Sequence, residues 1–219
     1  TGDKVQVTSD ARLDVSGPAG GGKINVGGGW QGQDASIRNA NAVVVEAGAR
    51  LDASATDNGN GGEVVVYSNT QLASGLTRAS GELLARGGAN GGDGGRIETS
   101  GHWISTAGVK ADASASKGKA GQWLLDPWDV SIETTATTAN SSSAGTWAPT
   151  GPWSVVQNSD IDDMLNHGTN VTISTDSPGT DLGTITVNAP IRITGDTFLV
   201  TTFGRAETSS AYQPSRGTV

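Results

Sequence analysis

Acid–base and metal chemistry require carboxylates, imidazoles or thiols brought together, and this sequence gathers them in few places. Ser159-Asp160-Ile161-Asp162-Asp163-Met164-Leu165-Asn166-His167-Gly168 holds the densest run of acids, of the kind a catalytic pair or a calcium site would use. The same run reads as a helix start. Ser159 suits the N-cap, the aspartates suit the positive end, Ile161, Met164 and Leu165 share a face, and Gly168 suits the stop. We expect the helix to account for the acids. His102 and His167 stand far apart and there is no cysteine, so no zinc site is expected. Neither a Gly-x-Ser-x-Gly elbow nor a phosphate-cradling P-loop occurs. The remaining acids fall at glycine-rich corners, where a solvated face is the default. No catalytic residue, metal ligand or cofactor is therefore assigned.

Three further patterns bear on binding. Gly91-Gly92-Asp93-Gly94-Gly95-Arg96-Ile97 is similar to a calcium-binding nonapeptide, but Arg96 stands where a ligand aspartate belongs. Trp128, Trp147 and Trp153 lie close in sequence, and indoles are costly to leave in water. Either they cover the open end of a stack of strands, or their faces form a platform on which sugar rings stack. Asn140-Ser141-Ser142 and Asn170-Val171-Thr172 make Asn140 and Asn170 candidate glycosylation acceptors, although such triplets also arise by chance in a Ser/Thr-rich chain.

The elements that must position these residues are short. The 219 residues include 33 glycines, about twice the usual share, with only 34% hydrophobic and 16% charged residues. Val, Ile and Thr recur in short runs, so the chain reads as folded and mostly β. A net charge of −8 argues against a nucleic-acid surface and against docking to anionic lipid. No apolar run approaches a membrane span, so no membrane insertion is expected. The absence of cysteine suits an exported, oxidising destination. Beginning at Thr1-Gly2-Asp3, without a signal peptide or initiator methionine, the chain reads as a piece of something longer.

A phrase of small residues followed by alternating apolar ones recurs four times: Gly21–Val26, Gly61–Val66, Gly94–Thr99 and Ala120–Leu125. Each copy follows a second strand-like phrase: Ala11–Ser16, Ala49–Ser54, Gly81–Arg86 and Val109–Ser114. Strands are also expected at Lys4–Thr8, Ala35–Arg38, Ala42–Glu46 and His102–Ser105, and later at Asn170–Thr175, Gly183–Val187, Ile191–Thr194 and Thr197–Thr202. The spacing between repeats varies, which suits a solenoid, where extra residues bulge from a corner without disturbing the stack. Rounds of about 20 residues would give on the order of ten coils and a rod of roughly 45–50 Å. The expected organisation is glycine-rich coils over 1–133, a loop over 134–152, a continuing module with a short helix near 160–167 over 153–203, and an irregular tail over 204–219. Gly121–Ile132, GQWLLDPWDVSI, stands out as a seam between two coil families, with Trp123 or Leu125 pointing inward and Asp126-Pro127 turning or bulging the run.

With these phrases laid out, the chain resembles the exoproteins of bacterial two-partner secretion, the filamentous-haemagglutinin and high-molecular-weight adhesin family. The residues that carry the resemblance are ARLDAS…NGGEVVVYS, GELLARGGANGGDGGRIETSG, GQWLLDPWDVSI and SDIDDMLNHGTNVTIST…GTITVNAPI. It covers nearly all of Lys4–Leu199. The resemblance implies an all-β fold, a right-handed parallel β-helix with one short helix. It also implies export through an outer-membrane transporter partner, a secreted or bacterial cell-surface location, and attachment to host cells, matrix or biofilm through glycans or proteins. The Asn-Pro-Asn-Gly-Ile type signature of the family's secretion domain is absent from this sequence. The alternatives are a polysaccharide-active β-helix enzyme and a glycan-binding module built on the tryptophans.

Overall fold

The computed structural model describes residues 1–135, 154–175, 183–194, 200–203 and 205–208. Its secondary structure is mostly strand, and the strands form three parallel sheets. The chain visits the sheets in the same order four times: β1 Lys4–Val7, β2 Arg12–Asp14, β3 Lys23–Val26; β4 Ala42–Val45, β5 Arg50–Asp52, β6 Glu63–Tyr67; β7 Leu76–Ala79, β8 Glu82–Leu84, β9 Arg96–Gly101; β10 Trp103–Ser105, β11 Lys110–Asp112, β12 Gln122–Pro127. Each strand pairs with its counterpart one round earlier. Val5, Val43, Thr77 and Ile104 form a column in the first sheet, Leu13, Leu51, Leu83 and Ala111 in the second, and Ile24, Val64, Ile97 and Trp123 in the third. Period-two alternation turns these columns toward one shared core.

The glycine phrases form the corner between the second and third sheets. Gly62 N–H donates to Ala53 O at 2.7 Å, Gly95 N–H to Ala85 O at 2.7 Å and Gly121 N–H to Ala113 O at 2.8 Å, so each bond closes the corner of its own round. Adjacent rounds touch backbone to backbone there. A Cβ on Gly61 would lie 2.0 Å from Ala85 O, and one on Gly94 1.8 Å from Ala113 O. Only glycine permits that approach.

Trp123 does point inward. It is fully buried, and its indole N–H donates to Thr99 Oγ1 at 3.2 Å. In the same round the second-sheet column that reads leucine at Leu51 and Leu83 becomes Ala111, and Ala111 and Trp123 both lie in the shared core. Asp126-Pro127 neither turns nor bulges the run. Both belong to β12 and pair with Ser100 and Gly101 of β9, while pairing on the other side stops at Leu125, so proline's missing N–H costs no ladder bond.

After β12 the order changes. β13 Val130–Glu133 and β14 Ser154–Gln157 both join the first sheet, and β14 lies between β10 and β13. The helix α1 Asn158–Asn166 then takes the place of a second-sheet strand. The edge of β11 is satisfied by side chains: Ala111 N–H meets Met164 Sδ at 3.1 Å and Ala113 N–H meets Thr169 Oγ1 at 2.9 Å. A helix is about 10 Å across, roughly two strand spacings, and the first sheet gains one extra strand at this level. The third sheet continues with β15 Asn170–Ser174 and β17 Val200–Phe203, and the first with β16 Thr184–Val187 and β18 Arg205–Thr208.

Several sequence expectations are corrected. Ala35–Arg38 is a turn, held by Asp34 Oδ1 accepting from Ser36 N–H at 2.9 Å. Ile191–Thr194 joins no sheet among the described residues, because its neighbour is α1, which has no free backbone edge. Asp162 and Asn166, one helical turn apart, accept from Arg192 N–H at 2.6 Å and Thr194 N–H at 2.7 Å instead. The helix N-cap is Gln157 rather than Ser159, because β14 runs straight into α1. The expected irregular tail carries β18, paired with β16. Rounds are longer than about 20 residues because corner segments such as 53–62 extend them, and the described first sheet is eight strands deep.

Candidate functional site

The outer face of the third sheet carries a groove of about 780 Å³, floored by the corner glycines and walled by side chains of successive rounds. One row of the wall is Lys23, Glu63, Arg96, Gln122 and Asn170, in register across five strands. Lys23 Nζ lies 3.6 Å from Glu63 Oε1, and Arg96 Nε donates to Glu63 Oε2 at 2.5 Å. Gln122 Nε2 donates to Thr172 Oγ1 at 2.7 Å and Asn170 Nδ2 to Ala120 O at 3.3 Å. These contacts tie one round to the next.

The next outward row holds Asn25, Val65, Glu98, Leu124 and Thr172. Glu98 is fully buried although it faces outward. Its Oε2 accepts from Gln31 N–H at 2.8 Å and its Oε1 from Ser100 Oγ at 2.6 Å. Burial pushes its carboxyl up to about 7; the bonds from Ser100 and Gln31 oppose the rise, and the charges of Asp126 and Glu63 add to it. The Trp30 indole covers the Arg96 guanidinium at 4.2 Å. Glu63, Glu98 and Asp126 thus gather on one face, all buried. A substrate would have to displace Gln31 to reach Glu98.

Trp128 is half-buried and stacks on His102, with ring centroids 5.1 Å apart and planes 20° apart. Trp103 meets His102 edge-on at 5.4 Å, and its indole N–H donates to Ala73 O at 2.8 Å. The aromatic cluster around Trp128 is therefore His102 and Trp103, which reading by sequence proximity missed. The repeat alignment carries the signal: Pro127 pairs with Gly101, which sets Trp128 directly over His102. Trp147, Trp153 and Asn140 lie outside the described residues. Asn170 is half-buried on β15 within the groove wall.

The acids of α1 have structural partners. Asp160 accepts from Gly108 N–H, and burial pushes its carboxyl up to about 6. Asp162 accepts from Arg192 N–H, and Asp163 Oδ1 lies 3.1 Å from His167 Nδ1. In the calcium-like loop, Asp93 Oδ1 accepts from Lys119 N–H at 2.8 Å, so that carboxylate is committed to the neighbouring round. Among the described residues, no three acids or histidines are grouped to hold a metal ion. No family model and no curated protein matches the chain.

Proposed function

We propose that the three sheets form a right-handed parallel β-helix and that the chain is a shaft segment of a secreted, surface-attached bacterial adhesin of the two-partner secretion family. Attachment to host cells, matrix or biofilm is its role, and an outer-membrane transporter partner exports it. One observation carries the reading. Strand after strand lies parallel on its counterpart one round earlier, and side chains that line the open groove make contacts between rounds. Such a surface spaces and presents; it does not turn over substrate.

The polysaccharide-active alternative draws on the acids Glu63, Glu98 and Asp126, but Glu63 is engaged by Lys23 and Arg96, and Glu98 by the Gln31 N–H and Ser100 Oγ. Beads coated with the folded chain should adhere to epithelial monolayers or matrix proteins above the level of beads coated with heat-denatured chain. Equal adhesion by both, or turnover of any member of a panel of acidic glycans, would overturn the proposal. The His102–Trp103–Trp128 corner is where a sugar ring would stack, and tryptophan quenching across a sugar panel, lost in Trp128→Ala, would locate it there.

A further inference from the structure

Residues 27–39 form an excursion between β3 and Ala40 that lies over the outer face of the third sheet. Ala40 N–H donates to Gly27 O at 2.6 Å and closes its base. Asn39 Nδ2 donates to Gly32 O at 3.1 Å inside it. Beneath it, the Tyr67 ring sits so close that a Cβ on Gly28 would be 2.5 Å from Cδ1 and one on Gly32 2.3 Å from Oη. Trp30 lies on Arg96. At the centre, Gln31 takes a left-handed backbone conformation, φ 52°, and is the one described residue other than glycine with positive φ. That conformation is strained for a glutamine, and it aims the Gln31 N–H at Glu98.

We propose that residues 27–39 are a strap latched by Glu98, closed over Tyr67 and Glu98 at acid pH and released as that carboxylate loses its proton. The charged groups around Glu98 favour this direction. Glu63 of β6 and Asp126 of β12 both oppose its ionisation. Arg96, on its own strand, is turned to Glu63 and Trp30. Tyr67 Oη lies 3.3 Å from Thr70 Oγ1. The strap's own charges are engaged elsewhere: Asp34 accepts from Ser36 and Arg38 pairs with Asp3. Nothing in the closed state offsets a buried negative charge except the bonds from Gln31 and Ser100.

The sign follows from the carboxyl being raised from 4.5 to about 7 when covered. The closed state binds the proton more tightly than the open one. Its advantage is therefore complete below 4.5 and is lost as pH rises through about 7. A shift of that size corresponds to a change in the closed-to-open ratio of roughly a hundredfold or more.

Amide hydrogen exchange on the whole chain tests the proposal. The protection of Gln31, corrected for intrinsic rate, should fall at least about tenfold between pH 5 and 8, while Gly95, bonded within its own round, keeps its protection. In Glu98→Gln the Gln31 protection should be independent of pH. Wild-type protection that does not change with pH overturns the proposal, as does an unaltered pH dependence in Glu98→Gln. If that variant fails to fold, carbonyl-carbon titration of Glu98 in the wild type decides instead: a midpoint near 7 supports the latch, and one at the ordinary glutamate value refutes it.

Discussion

Trp123 and Ala111 are a matched pair, large against small, in the round where the third-sheet column widens and the second-sheet column narrows. Trp123→Ala should cost about 3–5 kcal/mol, as deletion of a buried aromatic does. Ala111→Leu should cost about 1–3 kcal/mol by overpacking. The double variant Trp123→Ala with Ala111→Leu should be more stable than the two single losses add up to, because each change fills what the other vacates. Denaturant titration of the four proteins measures the coupling, and strict additivity would contradict the pairing.

Asp160 gives a prediction in pH. Its carboxyl is raised from 3.8 to about 6 by burial, so its contribution to stability is complete below 3.8 and is lost as pH rises through about 6. Asp160→Asn should therefore raise the unfolding free energy at pH 8 by about 1 kcal/mol once solvent screening is allowed for, and leave it unchanged near pH 3.5. Stabilisation of equal size at both pH values would refute the assignment. At this scale the inward side of Trp123 was legible, because it sits in a repeat phrase whose other copies alternate. Glu98 was not. It reads as one more acid in a glycine-rich repeat, and the Gln31 amide that buries it lies 67 residues away in sequence.

Among the elements, α1 is a terminator. With the turn that follows it, α1 ends the second sheet by offering side-chain acceptors, Met164 Sδ from the helix and Thr169 Oγ1 just beyond it, to the outer edge of the second sheet. Thr169→Val keeps the shape and leaves Ala113 N–H without its acceptor. It should cost about 1–3 kcal/mol, the penalty for an orphaned buried donor. Thr169→Ser should restore most of that loss, and equal stability of the valine variant and the wild type would show that the hydroxyl caps nothing. The helix itself was visible in the sequence through Ile161, Met164 and Leu165, all buried. The placement of β14 between β10 and β13 was not, because alternation says that a segment is a strand but not which strand it will join. The Ile191–Thr194 error has the same root: alternating residues pair as a strand only when the neighbour offers backbone, and α1 offers Asp162 and Asn166 instead.

At the scale of the whole molecule, three parallel sheets share one core. Each round contributes a thin layer of Val, Ile, Leu and Ala, and glycine corners bring layers into backbone contact. Stability then rests on contacts between neighbouring rounds. A Cβ at Gly94 would collide with Ala113 O of the next round, so Gly94→Ala should disrupt the stack locally rather than merely stiffen a turn.

Parallel registration of successive rounds is the claim on which the rest depends, and the absence of cysteine allows a clean test by disulfide formation. Arg50 pairs with Glu82, and Glu82 with Lys110, in the second sheet. Neighbouring positions lie about 4.8 Å apart and alternate ones about 9.6 Å, so only neighbours fall within disulfide reach. Under mild oxidation, Arg50→Cys with Glu82→Cys, and Glu82→Cys with Lys110→Cys, should close intramolecular bonds, while Arg50→Cys with Lys110→Cys stays reduced. Rapid closure of the Arg50–Lys110 pair, or failure of both neighbouring pairs, would contradict the stacked parallel order.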